Sequence, residues 1–327
     1  MSHGDLLAII DPNREQDLIR MLQQCGVVAG QQQCEYCGGQ MRIVKDKTSW
    51  FWICTKRVAG VKCNRGKFSI LDGTFLSNKK VSLRNAMFFV WHFVHHLSEQ
   101  QCKQYMSIGQ TSNCAVVKWY KICRKSVVSG LKEIHLSWVD LGKLWRWTSH
   151  ILLERQSMQK VAGLEKVLGW DLTTLWGFRS IERGSLDCRI ELVNASRSRK
   201  TLIPIINQHC LPGTIFCSDS WKAYNSLAEH LDLEDVLHFP VNHSENYVNP
   251  KTGAHTQTVE GLWRHCKDFL PTFGMKPKDL GSYVGQFMWH RYAKQRNLDM
   301  FLFFLKCASE MNPPTISKLP SGGMSEN

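Results

Sequence analysis

The chain has 327 residues, 43% hydrophobic and 10% aromatic, which is enough for two domains with sizeable buried cores. Lys and Arg number 41 against 28 Asp and Glu; the formal charge of +13 argues for a polyanionic partner, nucleic acid first, with a merely basic soluble protein as the alternative. No run of about eighteen apolar residues exists, so no transmembrane span is expected, and the start Met-Ser-His-Gly-Asp lacks the charged-then-apolar order of a signal peptide. The 13 cysteines are then expected in a reducing compartment, where metal binding outranks disulfides.

Residues 1–30 predict a short helical lead-in with Leu18, Ile19, Met21 and Leu22 on one apolar stripe. Residues 31–80 are rich in Cys, Gly and Lys, with strand-like runs at 49–53 and 67–71. Cys34-Glu35-Tyr36-Cys37 is a C-x-x-C knuckle followed by Gly38-Gly39, and Cys54 and Cys63 form a second, wider pair. Four thiolates in this pattern suit tetrahedral Zn²⁺ in a zinc ribbon; unrelated buried cysteines are the bland reading. The remaining cysteines lack ligand spacing and read as small buried apolar residues.

Residues 81–130 read as helices, and 86–94 is apolar nearly all round, hence buried. Ser98 to Tyr105 predicts a short helix with a Ser cap, Met106 to Gly109 a turn, and Ser112 to Lys125 a second helix. As a helix-turn-helix this pair would present Lys118, Lys121, Arg124 and Lys125 to DNA. A helical pair packed as scaffold fits the sequence equally, because the pattern is degenerate.

Residues 130–176 have no clean period, whereas 174–292 alternate strand and helix signals as an α/β domain does. Strands are predicted at 175–184, 188–193, 213–219 and 237–241, and helices at 198–209, 221–230 and 256–269. The tail from Asn312 is expected to be disordered. Asp219 ends an apolar strand and Glu260 lies on a later helix. Two such carboxylates can hold a pair of divalent cations against a phosphate, and Mg²⁺ or Mn²⁺ would relieve their mutual repulsion. Taken singly, a strand-end Asp is a turn-maker and a helix Glu a solvated face. Asn242, His243, Asn246 and His255 flank the pair and could tune it, or simply cap strand and helix ends. Lys222, Arg264, His265 and Lys267 are candidate phosphate contacts or ordinary surface charge.

Three blocks carry a family resemblance: Asn242-His243-Ser244-Glu245-Asn246, the run from Gly253 to His265, and Cys217-Ser218-Asp219-Ser220-Trp221-Lys222-Ala223-Tyr224. They resemble the Merlin-type DDE transposases and their bacterial insertion-sequence (XO2-like) relatives, over roughly residues 30–290. The resemblance implies a ribonuclease H-like α/β catalytic domain at 140–295, behind a zinc ribbon at 31–80 and a helical DNA-binding segment at 81–130. It implies Asp219 and Glu260 as catalytic Mg²⁺ or Mn²⁺ ligands, with structural Zn²⁺ on Cys34, Cys37, Cys54 and Cys63. Its partner is double-stranded DNA, the terminal repeats and the target, bound by a homo-oligomer, in the nucleus if the host is eukaryotic. The family's reaction is metal-dependent hydrolysis at transposon ends, then attack of the 3′-hydroxyl on target DNA.

The resemblance breaks at the first catalytic Asp, which relatives carry in a strand reading approximately Val-Glu-Ile-Asp-Glu-Ser. Here residues 143–150 read Lys-Leu-Trp-Arg-Trp-Thr-Ser-His; Asp140 is too early, Asp171 falls close to the next strand, and Glu154 is the acidic stand-in. Trp is always TGG and Thr always ACN, so Trp147-Thr148 read from the third base of each codon must give GAC, Asp. With permitted codons, Leu144 to His150 reads Val-Glu-Met-Asp-Glu-Ser in that frame. About residues 142–172 are therefore expected to be translated out of frame, making the first strand abnormal. Losing that strand's Asp removes a metal ligand and can remove its sheet pairing. The rival reading is a non-catalytic, transposon-derived DNA-binding protein. Sequencing the gene and transcript across codons 140–178 is expected to find this block in the shifted frame; DNA that does not encode it there would remove the explanation.

Overall fold

A computed structural model describes residues 3–47, 49–63, 66–77, 81–105, 113–141, 150–157, 176–182, 187–193, 198–242, 248–250, 253, 255–271 and 275–314. The architecture is mixed α/β, and the chain divides into two compact units, residues 1–130 with 298–327, and residues 131–297.

The first unit opens with α1 (His3–Ile9), a 3-10 turn (Pro12–Arg14) and α2 (Glu15–Gln24). Asp11 caps the turn by accepting from the Asn13 amide at 2.7 Å. α2 buries Leu18, Ile19 and Leu22, while Met21 of the expected stripe is half-buried. Next come β1 (Met41–Asp46), β2 (Ser49–Cys54), the two-residue strands β3 (Arg57–Val58) and β4 (Val61–Lys62), and β5 (Lys67–Ser69). β1, β2 and β5 form one antiparallel sheet in that order, and β3 pairs with β4 alone. Glu15 ties α2 to this sheet, accepting from Trp50 Nε1 at 3.2 Å and pairing with Lys45 at 2.6 Å.

Helices α3 (Leu83–Val94), α4 (Glu99–Tyr105) and α5 (Asn113–Leu141) follow. The Ser98 cap expected from the sequence is a reciprocal capping box: the Gln101 amide donates to Ser98 Oγ at 3.1 Å, and the Ser98 amide donates to Gln101 Oε1 at 2.9 Å. Aromatic residues make the core. Phe93 of α3 meets Tyr120 of α5 and Phe304 of the C-terminal helix (Met300–Met311) edge-on, and Phe89 stacks on Trp119 at 5.3 Å. At Gly130 a Cβ would lie 2.5 Å from the Cys307 side chain, so α5 and the C-terminal helix can meet there only through glycine.

The second unit contains β6 (His150–Ser157), β7 (Trp176–Glu182), β8 (Cys188–Val193), α6 (Arg199–His209), β9 (Ile215–Asp219), α7 (Leu227–His230), β10 (Leu237–Val241), α8 (Gln257–Phe269) and α9 (Leu280–Gln295). Its sheet has the order β10-β9-β6-β7-β8. β10, β9 and β6 run parallel, and β7 is antiparallel to both β6 and β8. Alternation along each strand sends side chains to two cores. Phe178, Val193 and Phe216 pack with Leu202 and Ile206 of α6. Ile181, Ile190, Cys217 and Val241 pack with Val259, Leu262, Trp263 and Cys266 of α8 and Val284 and Phe287 of α9.

Three expectations change. The first strand keeps its pairing: β6 is bonded on both sides, Ile151 lying opposite Phe216 of β9 and Glu182 of β7. Residues 221–230 are not one helix but a 3-10 turn (Lys222–Tyr224) and the short α7, interrupted by Ser226 at φ 52°. α5 continues past Lys125 to Leu141 and so takes in Asp140. The expected turn at 106–109, residues 142–149 and 158–175 of the abnormal segment, and the tail from 315 lie outside the described residues.

Asp187 and Arg296 form a two-pronged pair, both N–H···O contacts at 2.6 Å, joining the start of β8 to the end of α9. The Asp187 side chain is only 8% exposed, and the Arg296 guanidinium also lies 3.9 Å from the Tyr292 ring centre. Replacing Asp187→Asn removes the charge of the buried partner and is expected to cost about 1.5–3 kcal/mol in urea unfolding; an unchanged midpoint would show that the pair does not fasten these elements.

Candidate functional site

The segment that the sequence suggested as a zinc ribbon is built around sulfur. Gly38, at φ 63°, closes the knuckle by donating its amide to the Cys34 carbonyl at 2.8 Å. The Cys54 amide donates to the Gly66 carbonyl at 3.0 Å, bringing β2 alongside the chain entering β5. Cys34, Cys37, Cys54 and Cys63 converge, with all four Sγ atoms within 4.8 Å of one another. Cys34 to Cys63 is 3.8 Å and Cys37 to Cys54 is 3.4 Å. Four thiolates on a tetrahedral ion with bonds of about 2.3 Å would stand about 3.8 Å apart, so the donor set fits a metal ion. The Gly39 amide draws the Cys37 thiol down to about 7, while burial pushes the Cys54 thiol up to about 12. Gly66 leaves room for the cluster: a Cβ there would lie 2.9 Å from Cys34 Sγ.

In the second unit Asp219 is the last residue of β9 and is half-buried opposite Val241 of β10. It lies two residues past Cys217, on the sheet face that α8 covers. Glu260 sits in the first turn of α8 and is exposed. Thr256, fully buried at the start of that helix, donates its hydroxyl to Glu260 Oε1 at 3.2 Å. Behind Asp219, Ser218 Oγ donates to the Asp219 carbonyl and stands 2.8 Å from His238 Nε2. With that hydroxyl proton committed, the imidazole is the donor to Ser218. Burial lowers the His238 pKa, favouring the neutral ring. Two carboxylates are hard oxygen donors suited to Mg²⁺ or Mn²⁺.

The register also locates Glu154. Leu153 of β6 pairs with Ser218 of β9, so Glu154 and Asp219 are the next residues along these parallel strands. Across the antiparallel pair Glu154 stands opposite Arg179 of β7. Arg179 is 1% exposed, and its guanidinium lies 5.2 Å from the Trp263 ring centre of α8. Sequence reading missed Arg179 and the role of Thr256. The available signals were an Arg inside the inward-facing run Phe178-Arg179-Ser180-Ile181, and a hydroxyl one turn before the Glu.

The candidate DNA contacts divide. Lys118 and Lys125 of α5 are exposed and Lys121 is half-buried. Arg124 is a correction: it is 2% exposed, because it falls four residues after Tyr120 and three before Val127, on the stripe the helix buries. Lys222 is exposed in the turn after Asp219. Arg264 and His265 are exposed and Lys267 half-buried on α8, with Arg264 one turn beyond Glu260. Asn242 is exposed, and His255 is half-buried in a β-bridge to Val248. His243 and Asn246 lie outside the described residues.

Residues 157–291, from the end of β6 into α9, match the family described as ISXO2-like transposase domain. The chain carries a transposase domain of this kind. A Haemophilus influenzae protein named an uncharacterized transposase-like protein is 29% identical over 79 residues, 24% of this chain and 59% of that protein. The match thus spans less than two thirds of that relative. Asp219 and Glu260 both fall inside the transposase domain, and the family implies a divalent metal and DNA as partner. No helix among the described residues is long and apolar enough to cross a membrane.

The ribbon buries little apolar surface of its own, and a structural metal site supplies roughly 10–16 kcal/mol in model peptides. Purified protein is expected to carry one thiolate-bound ion per chain, and chelation or Cys34→Ser to open residues 31–70 to protease. Gly66→Ala is expected to do the same by crowding Cys34. Ribbon protection that survives chelation would show that the fold does not depend on metal.

Proposed function

We propose that this chain is a DDE-type DNA transposase whose chemistry is impaired at the first carboxylate position, and that its second unit has a ribonuclease H-like fold. The observation that carries the fold is the strand order β10-β9-β6-β7-β8. A three-stranded antiparallel meander is followed by two strands parallel to its first member, the order a ribonuclease H-like sheet has. Asp219 ends β9 on the face that α8 covers and Glu260 lies in the first turn of α8; this reading takes the two as the carboxylates of a polynucleotidyl-transfer site. In this reading the thiolate cluster holds Zn²⁺ and the partner is duplex DNA at element ends and target, engaged by a homo-oligomer. In a eukaryotic host the work is done in the nucleus.

Each side chain has a task. Asp219 and Glu260 hold Mg²⁺ or Mn²⁺, which when bound would activate water or a 3′-hydroxyl and stabilise the leaving oxygen. Thr256 fixes the Glu260 carboxylate by its hydroxyl, so that the carboxylate is held oriented before metal or DNA arrives. Arg264, one turn further along α8, and Lys222, just past Asp219, offer cations to the phosphodiester. On α5, Lys118, Lys121 and Lys125 remain the DNA-facing set. Glu154 is the residue left at the first carboxylate position. With no Asp on that strand, the first position is the weak point of the site. That weakness also favours the second reading, a DNA-binding protein that has lost its chemistry.

Duplex binding at low salt is expected to weaken steeply as salt rises, and plasmid nicking in Mn²⁺ to be slow and absent in Asp219→Asn and Glu260→Gln, with binding intact. Nicking that survives both substitutions would exclude these residues as catalysts, and binding without any nicking would select the second reading. Thr256→Val is expected to weaken Mn²⁺ binding about fivefold, the effect of roughly 1 kcal/mol, with Thr256→Ser restoring it. Equal loss in both variants would mean that Thr256 acts only through packing.

A further inference from the structure

The hairpin between Cys54 and Cys63 is built in a way that folding alone does not favour. Arg57 of β3 stands directly opposite Lys62 of β4, and Val58 opposite Val61. Like charges opposed on an antiparallel pair destabilise it, and among the described residues neither cation has an acidic partner. Both valines are uncovered, 52% and 72% exposed. The turn between them puts Ala59 at φ 50° and Gly60 at φ 79°. Left-handed backbone costs a non-glycine residue about 1–2 kcal/mol, so Ala59 adds strain. The base, by contrast, is secured. The Cys63 amide donates to the Lys56 carbonyl at 2.9 Å, Lys56 Nζ donates to the Cys37 carbonyl at 3.2 Å, and the four thiols lie directly behind. A firmly based projection thus holds two exposed valines, and two cations with no acidic partner among the described residues.

We infer that this hairpin is a duplex-DNA contact, with Arg57 and Lys62 on backbone phosphates and Val58 and Val61 against the groove. The inference rests on the reading that the partner is DNA. Phosphates remove the Arg57–Lys62 repulsion that nothing in the described chain removes. A two-stranded ribbon fits the major groove, about 12 Å wide, where thymine methyl groups offer apolar contact. An acidic protein would answer the charges as well, but the net charge of +13 and the transposase domain favour nucleic acid.

The test is the anisotropy of a labelled duplex with the full chain between 50 and 200 mM salt. Arg57→Gln with Lys62→Gln is expected to lower affinity about tenfold and to flatten the log–log salt slope by about 1.8, two phosphate contacts at about 0.9 each. Because it removes a repulsion, this variant should melt no lower than wild type. Val58→Ser with Val61→Ser is expected to lower affinity about tenfold with the slope unchanged. Removing two exposed cations elsewhere, Lys276→Gln with Lys306→Gln, should change affinity by less than the hairpin pair. Wild-type binding with unaltered hairpin variants, or a control pair as damaging as the hairpin pair, overturns this inference alone. Absence of any salt-dependent DNA binding by wild type overturns it together with the proposed function.

Discussion

The hydrogen bonds that β6 makes on both edges set the register of the whole second unit. Parallel pairing fixes Leu152 against Cys217 and Leu153 against Ser218; antiparallel pairing fixes Leu152 against Ile181 and Glu154 against Arg179. A shift of one residue would exchange every inward and outward position of a strand. Cys217, Ile181 and Ile190 would then lose their places beneath α8, and Asp219 would move to the face covered by α6. The apolar residues of α8 and α9 thus decide which face Asp219 occupies: their burial penalises any register that moves it off the face α8 covers.

The ribbon solves the opposite problem, a segment with too little apolar surface. Trp52 and Met41 are buried beside Cys34 and Cys54, and Glu15 adds two polar ties from α2. The four thiols would otherwise be a liability, because burial disfavours the thiolate at Cys54 while an amide favours it at Cys37. A cation held by the cluster would favour the anionic form of all four. The same cluster anchors the β3–β4 hairpin, which is too short to be stable by itself.

Period-two alternation made β7, β8, β9 and β10 legible within a residue or two, because each lies between two cores and repeats its pattern cleanly. The helix carrying Glu260 was legible for the corresponding reason: Val259, Leu262, Trp263 and Cys266 recur at helical spacing. β6 escaped because Glu154, Arg155 and Gln156 interrupt what would be a central apolar run, so its identity comes from pairing rather than composition. Arg124 escaped because charge was taken as exposure, whereas the phase of α5 decides it. The helix expected at 221–230 failed at Ser226, whose left-handed backbone no propensity signals. Of the candidate site, the four converging cysteines were legible from their spacing and the strand-end and helical positions of Asp219 and Glu260 from periodicity, whereas the Thr256 hydroxyl bond and the buried Arg179 depend on the packed helix.

Arg179 shows how a charge can belong to a packed face. It is 1% exposed, and its guanidinium lies 5.2 Å from the Trp263 ring centre of α8. A guanidinium cannot be discharged at any biological pH, so it places a permanent positive charge on the sheet face that α8 covers, the face on which Asp219 ends β9. In the proposed reading, any metal cation has to be gathered against that charge, and the number of carboxylates on this face decides how well it is held.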